Sequence, residues 1–133
     1  MMQHLDCHIS LLLDRSGSMD SIRDDIIGGV NRFWDDQKST GLMISASMIQ
    51  FDSQDPFECL VENQPISEMP RLSRENYQPR GQTPLLDAMG KAIRSLDRHI
   101  DALQESVRPL KVMLVIVTDG QENASHEFSR AHI

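Results

Sequence analysis

The sequence predicts an α/β fold built on a doubly wound, mostly parallel sheet with one antiparallel hairpin strand at its edge. Two short apolar runs each end in a loop rich in Asp, Ser and Gly, which is typical of buried parallel strands. Two longer segments repeat apolar residues at helical spacing, and two further strand-like segments are joined by a short loop that contains proline. Because crossovers between parallel strands are right-handed almost without exception, we expect helices on both faces of the sheet.

The order of the elements follows from this periodicity. The first helix shows it most clearly, since its apolar residues recur every three or four positions: Ile22, Ile26, Ile27, Val30, Phe33 and Trp34. Asp20 and Ser21 are expected to cap its first turn, and 39–41 to end it. In chain order we expect a strand over 8–13, a helix over 21–38, strands over 42–51 and 57–61, an irregular connection over 62–81, a helix over 85–103, a strand over 110–117 and the start of a helix over 124–133.

Composition and charge exclude several classes of protein. The 133 residues, 39% of them hydrophobic, fit a single domain over 1–133. A net charge of -7 argues against a nucleic-acid module, and no basic cluster suits a membrane surface. The N-terminus has no pattern of a signal peptide, and the apolar run 112–117 is too short to span a bilayer, so we expect a cytoplasmic protein. Cys7 and Cys59 are expected to be buried, reduced thiols, and the five histidines to be exposed or capping residues.

Three polar loops are expected to meet where the parallel strands end. Asp14, Ser16 and Ser18 follow the first strand at two-residue spacing, so a turning backbone can aim three oxygens at one point. Asp119 follows the last strand, and Thr83 stands at the mouth of the second helix. In open α/β sheets ligands bind beyond the carboxyl ends of the strands. Carboxylates and hydroxyls are hard ligands, so the pattern favours Mg²⁺ or Mn²⁺ at this rim.

Together the three loops resemble the metal-ion-dependent adhesion site of von Willebrand factor A domains. That family's pattern is D-x-S-x-S, then a distant Thr, then a distant Asp, and it is matched by DRSGSM over 14–19, GQTPL over 81–85 and TDGQEN over 118–123. The resemblance runs from about residue 8 to the end of the chain. It implies a Mg²⁺ (or Mn²⁺) site, with direct or water-mediated bonds from Ser16, Ser18 and Thr83, and mostly water-mediated ones from Asp14 and Asp119.

The resemblance also implies a function, which is binding rather than catalysis. In this family the metal keeps one coordination position for a carboxylate of a protein partner. The wording TDGQENAS and the absence of a disulfide pattern are more similar to bacterial intracellular members than to secreted adhesion domains. Such members often work with AAA+ ATPases, so a partner of that kind is an expectation for this chain. With two carboxylates facing a dication, the metal would remain attractive to an acidic group from outside.

The chain departs from the family at its C-terminal end. Family members usually continue with another helix, strand, helix and strand, so we expect that the last strands of the family fold are absent and that the domain is incomplete. The strand over 110–117 would then lie at an edge of the sheet with an unpaired ladder of backbone groups. We therefore expect a homo-oligomer that pairs through this edge.

Other interpretations of the same residues remain open. Each loop has an ordinary explanation, since Ser and Gly favour turns and Thr83 before a helix is a common cap. One alternative is therefore an interaction or scaffold domain with a vestigial metal site. Another is a Mg²⁺-dependent phosphohydrolase of the haloacid-dehalogenase type, but Ser16 replaces the second Asp of its D-x-D-x-T loop. No G-x-S-x-G elbow surrounds Ser16 or Ser18, and an EF-hand would need Gly two positions later than Gly17.

Overall fold

A computed structural model describes residues 5–120, 122–125 and 128–129. Short 3-10 helices lie at Gly17–Ile22, Ile66–Glu68 and Glu105–Val107. Within the described residues the chain forms four strands and two α-helices, in the order β1 (Cys7–Asp14), α1 (Arg23–Lys38), β2 (Ile44–Phe51), β3 (Glu58–Pro65), α2 (Leu85–Ala102) and β4 (Lys111–Val117). No helix in this part of the chain is long and apolar enough to cross a membrane.

The four strands form one mixed sheet in the order β3-β2-β1-β4. β1 runs parallel to both of its neighbours, and β3 pairs antiparallel with β2 as the partner of a hairpin. The register places Asp14 opposite Phe51 of β2 and Leu13 opposite Val117 of β4, so the parallel strands end at the same level. The predicted α/β class and the antiparallel edge strand are thereby confirmed.

Each face of the sheet is covered by one α-helix. Alternate residues of a strand point to opposite faces, and in β1 Leu11 and Leu13 join the core cluster that contains Trp34 of α1. Leu12 points the other way and belongs to the cluster that contains Ala88 of α2. All eight residues of β1 are buried, because helices cover this central strand on both sides. The expectation of helices on both faces is confirmed.

The first α-helix begins later than predicted. A 3-10 helix occupies Gly17–Ile22, and α1 starts only at Arg23 without a side-chain cap, so the predicted cap at Asp20 and Ser21 is wrong. The 3-10 turns bury Met19 completely, which leaves Asp20 and Ser21 inside these turns and not before the helix. The predicted end of the helix is correct, since Ser39 is its C-cap and Gly41 follows with φ 75°.

Two further boundaries differ from the predicted ones. β3 continues to Pro65, beyond the expected end at 61, and its pairing with β2 contains register shifts. The irregular connection is therefore shorter than predicted, and its remaining part is held in place by hydrogen bonds. Of the helix predicted over 124–133, residues 124–125 and 128–129 are described and are not helical, while the others lie outside the described residues.

The predicted environments of the cysteines and of one histidine need correction. Cys7 is buried as predicted, but Cys59 is exposed, because it lies on the outer strand of the hairpin. His8 is fully buried between the sheet and α2, where its two ring nitrogens lie 2.6 Å and 3.2 Å from the hydroxyls of Ser45 and Ser10. Burial first and the nearby His99 second lower the pKa of His8 to about 4, so its imidazole is neutral at pH 7.

Candidate metal centre

The candidate site lies where the chain changes direction in the sheet. From β1 the chain goes to β2 on one side, and after α2 it returns to β4 on the other side of β1. The loops that leave β1 and β4 therefore diverge at their carboxyl ends, and such a point is where open α/β sheets place their ligands. Asp14 is the last residue of β1, and Asp119 comes two residues after β4.

The carboxylate of Asp14 is fully buried at this point. Its Oδ1 accepts a hydrogen bond from the Ser16 N–H at 2.7 Å, and its Oδ2 accepts one from the Thr118 hydroxyl at 2.7 Å. Tyr77 donates its phenol hydrogen to the backbone carbonyl of Asp14, also at 2.7 Å. All three donors are neutral, and none of the ion pairs among the described residues includes Asp14. A buried charge without a counter-ion is unfavourable, and a bound cation would offset that cost.

Ser16 and Ser18 of the first loop connect this carboxylate to the loop after β4, beginning with the bond from the Ser16 N–H. The Ser16 and Ser18 hydroxyl oxygens lie 3.2 Å apart, and Ser18 donates to Oδ2 of Asp119 at 2.5 Å. Ser16 is buried, whereas Ser18 and Asp119 are exposed. The side chains therefore lead from a buried carboxylate at the end of β1 to an open rim, where a ligand can approach.

Thr83 is carried by a third loop that is bonded to both of the others. The Gly17 N–H donates to the carbonyl of Gly81 at 2.9 Å, which ties this loop to the first one. The Thr83 N–H donates to Oδ1 of Asn123 at 2.8 Å, and the Asn123 N–H donates to the carbonyl of Thr83 at 3.0 Å. The structure thus brings the loops of all five predicted residues together, with Thr83 almost completely buried.

Thr83 is not the cap of the second helix. The residue at the N-cap position of α2 is Pro84, and its side chain makes no capping hydrogen bond to the first turn. Instead, the loop after β4 supplies the acceptors. The Leu86 N–H donates to Oε1 of Glu122 at 3.0 Å, and the Asp87 N–H donates to the Ser125 hydroxyl at 3.0 Å. The ordinary explanation of Thr83 as a helix cap is therefore wrong.

Gly81 of the third loop occupies a position that favours glycine. Gly81 has φ 66°, a backbone conformation that side chains disfavour, and a Cβ there would lie 2.6 Å from the hydroxyl of Ser53. A Cβ on Gly17 would lie 3.4 Å from the carbonyl of Gly81. The steric requirement for glycine therefore lies at Gly81, because the contact at Gly17 has an ordinary van der Waals distance.

Arg15, the second residue of the first loop, turns away from the candidate site. It is buried, and its Nε donates to Oδ2 of Asp52 at 2.9 Å while Nη1 donates to Glu58 at 3.2 Å. Arg80 also donates to Oδ2 of Asp52, at 2.6 Å. The side chain of Arg15 is therefore directed away from the rim of the site, although Arg15 lies in the same loop as Ser16 and Ser18. Its positive charge is taken up by carboxylates on the side of β2 and β3.

The phenol of Tyr77 responds to the charge beside it. Burial and then the charge of Asp14 raise the pKa of Tyr77 far above its usual value. The phenol therefore keeps its hydrogen and donates it to the carbonyl of Asp14. In this way a residue of the irregular connection between β3 and α2 holds the backbone at the end of β1.

The donor set suits a small, hard divalent cation. The three loops carry two carboxylates and three hydroxyls, and these are oxygen ligands of the kind that Mg²⁺ and Mn²⁺ take together with water. Among the described residues, no three His, Cys, Asp or Glu side chains form a group that could hold a metal ion. A site with two carboxylates and three hydroxyls does not depend on such a group, so the residues present fit the implied metal.

No model of a known protein family matches the chain, and no curated protein matches it. The site must therefore be interpreted from its own residues.

Several residues that shape the site were missed by the sequence analysis. Thr118 could have been found from the strand register. It follows Val117, which pairs with Leu13, just as Asp14 follows Leu13 in the neighbouring strand. Asn123 had a weaker one, as a polar residue in the same loop as Asp119. Tyr77 had none, because an isolated aromatic residue in a polar connection gives no indication of its partner.

Proposed function

We propose that this chain is a von Willebrand factor A-type domain that binds Mg²⁺ or Mn²⁺ and uses it to hold an acidic group of a protein partner. The proposal rests on the three motifs that resemble the adhesion site of that family. The single observation that supports it most is the fully buried Asp14 carboxylate, which has neutral donors and no ion-pair partner among the described residues. A divalent cation would balance that charge.

In this proposal the five residues divide into two groups. The hydroxyls of Ser16, Ser18 and Thr83 would hold the metal directly or through water, and Asp14 and Asp119 would act mostly through bridging waters. A bound Mg²⁺ or Mn²⁺ supplies a coordination position that a carboxylate from outside can fill. The chain's own contribution is to orient these oxygens, because each loop is tied to another by the bonds of Gly17, Ser18 and Thr118.

The geometry of Asp14 supports binding in preference to catalysis. A phosphohydrolase of the haloacid-dehalogenase type would use the Asp after the first strand as its nucleophile, and that oxygen must reach the substrate. Both carboxylate oxygens of Asp14 already accept hydrogen bonds, and the residue is fully buried. Ser16 also cannot replace the missing general acid, since a hydroxyl does not ionise near neutral pH.

The partner is identified here only by its chemistry. We propose a protein that offers an exposed Asp or Glu carboxylate, and an AAA+ ATPase system is the candidate that the family resemblance implies. A cytoplasmic location is part of the same proposal, based on the composition and on Cys7 and Cys59, which are both free thiols. A second copy of the chain, paired through the outer edge of β4, is a further proposal taken up in the Discussion.

The proposed function is tested by thermal unfolding of metal-stripped protein with and without millimolar Mg²⁺. A ligand that binds only the folded state at about 100 times its dissociation constant adds about 2.7 kcal/mol of stability, which raises Tm by several degrees. We expect this rise in the wild type and a smaller one in Ser18→Ala. Ser67→Ala is the matched control, because Ser67 is also exposed and lies after β3, away from the three loops.

The outcomes separate the proposal from its alternatives. A rise that is reduced in Ser18→Ala and kept in Ser67→Ala supports a working metal site. The absence of any rise with Mg²⁺ or Mn²⁺ would favour the alternative of an interaction domain with a vestigial site. Hydrolysis of a generic phosphate monoester that requires both Mg²⁺ and Asp14 would instead favour the phosphohydrolase.

A further inference from the structure

The loop after β4 holds Thr83 by a reciprocal pair of hydrogen bonds. The side-chain oxygen of Asn123 accepts from the Thr83 N–H at 2.8 Å, and the Asn123 N–H donates to the Thr83 carbonyl at 3.0 Å. Both backbone polar groups of Thr83 are thus fixed by one residue. Because Pro84 follows, the backbone of Thr83 is also restricted to extended conformations.

The same loop is also hydrogen-bonded to the first turn of the second helix through other residues. Glu122 accepts from the Leu86 N–H, and the Ser125 hydroxyl accepts from the Asp87 N–H. The carboxylate of Asp87 accepts in turn from the Phe128 N–H at 2.7 Å. These bonds attach the loop to the first turn of α2. The bonds of Asn123, in contrast, are made to Thr83, which carries the third hydroxyl.

We infer that Asn123 is the positioning residue of the metal site, which sets the direction of the Thr83 hydroxyl. The inference rests on the proposed function and deepens it. One loop then does two things: it provides Asp119, and through Asn123 it orients a hydroxyl that belongs to a different element. The side chain of Asn123 touches the backbone of Thr83, so it acts through Thr83 and is not itself a ligand.

The test compares Asn123→Ala with Ser125→Ala. Both variants lose one side-chain hydrogen bond between the same loop and the α2 region, but only Asn123→Ala removes a bond to Thr83. Residues that orient metal ligands typically change affinity by 10- to 100-fold when they are replaced. We therefore expect Asn123→Ala to weaken Mg²⁺ binding, measured by calorimetric titration, by about tenfold or more. Ser125→Ala should bind Mg²⁺ nearly as well as the wild type.

A second readout does not depend on the metal. Amide hydrogen exchange in the metal-free protein should show loss of protection at the Thr83 N–H in Asn123→Ala, and no such loss in Ser125→Ala. Asn123→Asp keeps the acceptor oxygen, so it should restore both the protection of this amide and Mg²⁺ binding relative to Asn123→Ala.

Each remaining outcome overturns the inference in a recognisable way. If the wild type binds Mg²⁺ and Asn123→Ala binds it equally well, Asn123 does not position Thr83 for the metal. Equal weakening in Ser125→Ala would mean that the loop as a whole supports the site, without a special role for Asn123. If the wild type binds no Mg²⁺ or Mn²⁺, the proposed function fails, and this inference fails with it.

Discussion

Two buried carboxylates lie at the ends of neighbouring parallel strands, and their surroundings differ completely. Asp14 ends β1 and Asp52 follows β2, and both are fully buried. Asp52 accepts from Arg15 and Arg80 as well as from the backbone N–H groups of residues 54 and 55. Among the described residues, the carboxylate of Asp14 accepts only from the Ser16 N–H and the Thr118 hydroxyl, which are neutral. One charge is balanced within the protein, and the other has no ion-pair partner among the described residues.

This difference shows that one buried charge serves the structure, and it supports the proposal that the other serves a ligand. Burial alone raises the pKa of Asp52, but hydrogen bonds from the backbone and from Arg80, together with the charge of Arg15, outweigh it, so the pKa lies below its usual value. Asp52 is thus held ionised by the fold itself, and it fixes the loop that follows β2. Asp14 has the surroundings expected of a carboxylate that an external cation completes.

The largest expected effect is on stability, when the balanced carboxylate is removed. Asp52→Asn leaves the buried guanidinium of Arg15 with only Glu58, which is partly exposed, as its counter-charge. Breaking a buried pair by removing one partner typically costs about 3–5 kcal/mol. Urea unfolding should therefore show a loss of that order, with or without Mg²⁺. A loss below about 1 kcal/mol would contradict the structural role of Asp52.

The buried imidazole of His8 should give a smaller effect on stability, and this effect should depend on pH. The pKa of His8 is lowered to about 4, against about 6.5 in the unfolded chain, so the unfolded state binds more protons between these values. Stability should therefore be complete above about pH 6.5 and fall as the pH drops towards 4, by up to about 3 kcal/mol. The ring of His99 contacts that of His8, and burial lowers the pKa of His99 as well, so His99 contributes to the same region of pH.

Unfolding by urea between pH 4.5 and 7.5 measures this dependence. His8→Gln removes the titrating ring and keeps a side chain that can bond to the hydroxyls of Ser10 and Ser45. The variant should show a clearly flatter pH dependence than the wild type over this range. Equal slopes in the two proteins would mean that the buried imidazole of His8 is not the source.

The smallest expected effect concerns the two edges of the sheet. β3 covers one edge as the outer strand of a hairpin, while within the described residues β4 has a neighbour on one side only. Val112 is 43% exposed on this strand, and the strand has a single charge at Lys111. We predict a weak homodimer that pairs through β4, detected by light scattering at high protein concentration.

A charge at this edge should abolish the dimer. Val112→Lys is expected to give a monomer, whereas Leu42→Lys, at an exposed apolar residue outside β4, should leave the assembly unchanged. A wild-type protein that is monomeric at millimolar concentration would rule out pairing through this edge.

The parts of the fold that could be predicted are those that a local sequence pattern defines. β1 is a short run of apolar residues, and α2 carries apolar residues at helical spacing. The type and position of both elements could therefore be predicted from the local sequence pattern. The start of α1 could not be predicted, because the 3-10 turns before it depend on the burial of Met19 by residues far away in the sequence. The length of β3 likewise depends on its pairing with β2.

The candidate site shows the same division. Asp14, Ser16 and Ser18 share one loop, and Asp119 follows an apolar strand, so these residues could be found from their spacing. Their supports are contacts across long stretches of chain, such as the Tyr77 hydroxyl on the carbonyl of Asp14. The direction of the Arg15 side chain could not be predicted for a related reason, since nothing in its loop indicates that it bonds to the buried carboxylate that follows β2. Metal binding, the single-domain organisation and the partner stay predictions.

Calorimetric titration of Mg²⁺ into metal-stripped wild type and Asp14→Asn tests the central claim most directly. An Asn at this position can accept from the Ser16 N–H and donate to the Thr118 hydroxyl, so we expect the metal-free variant to be as stable as the wild type within about 1 kcal/mol. The account predicts one Mg²⁺ site in the wild type and at least tenfold weaker binding in the variant. Equal binding by both proteins, or no binding by the wild type, would contradict the claim that Asp14 is a carboxylate kept for a metal.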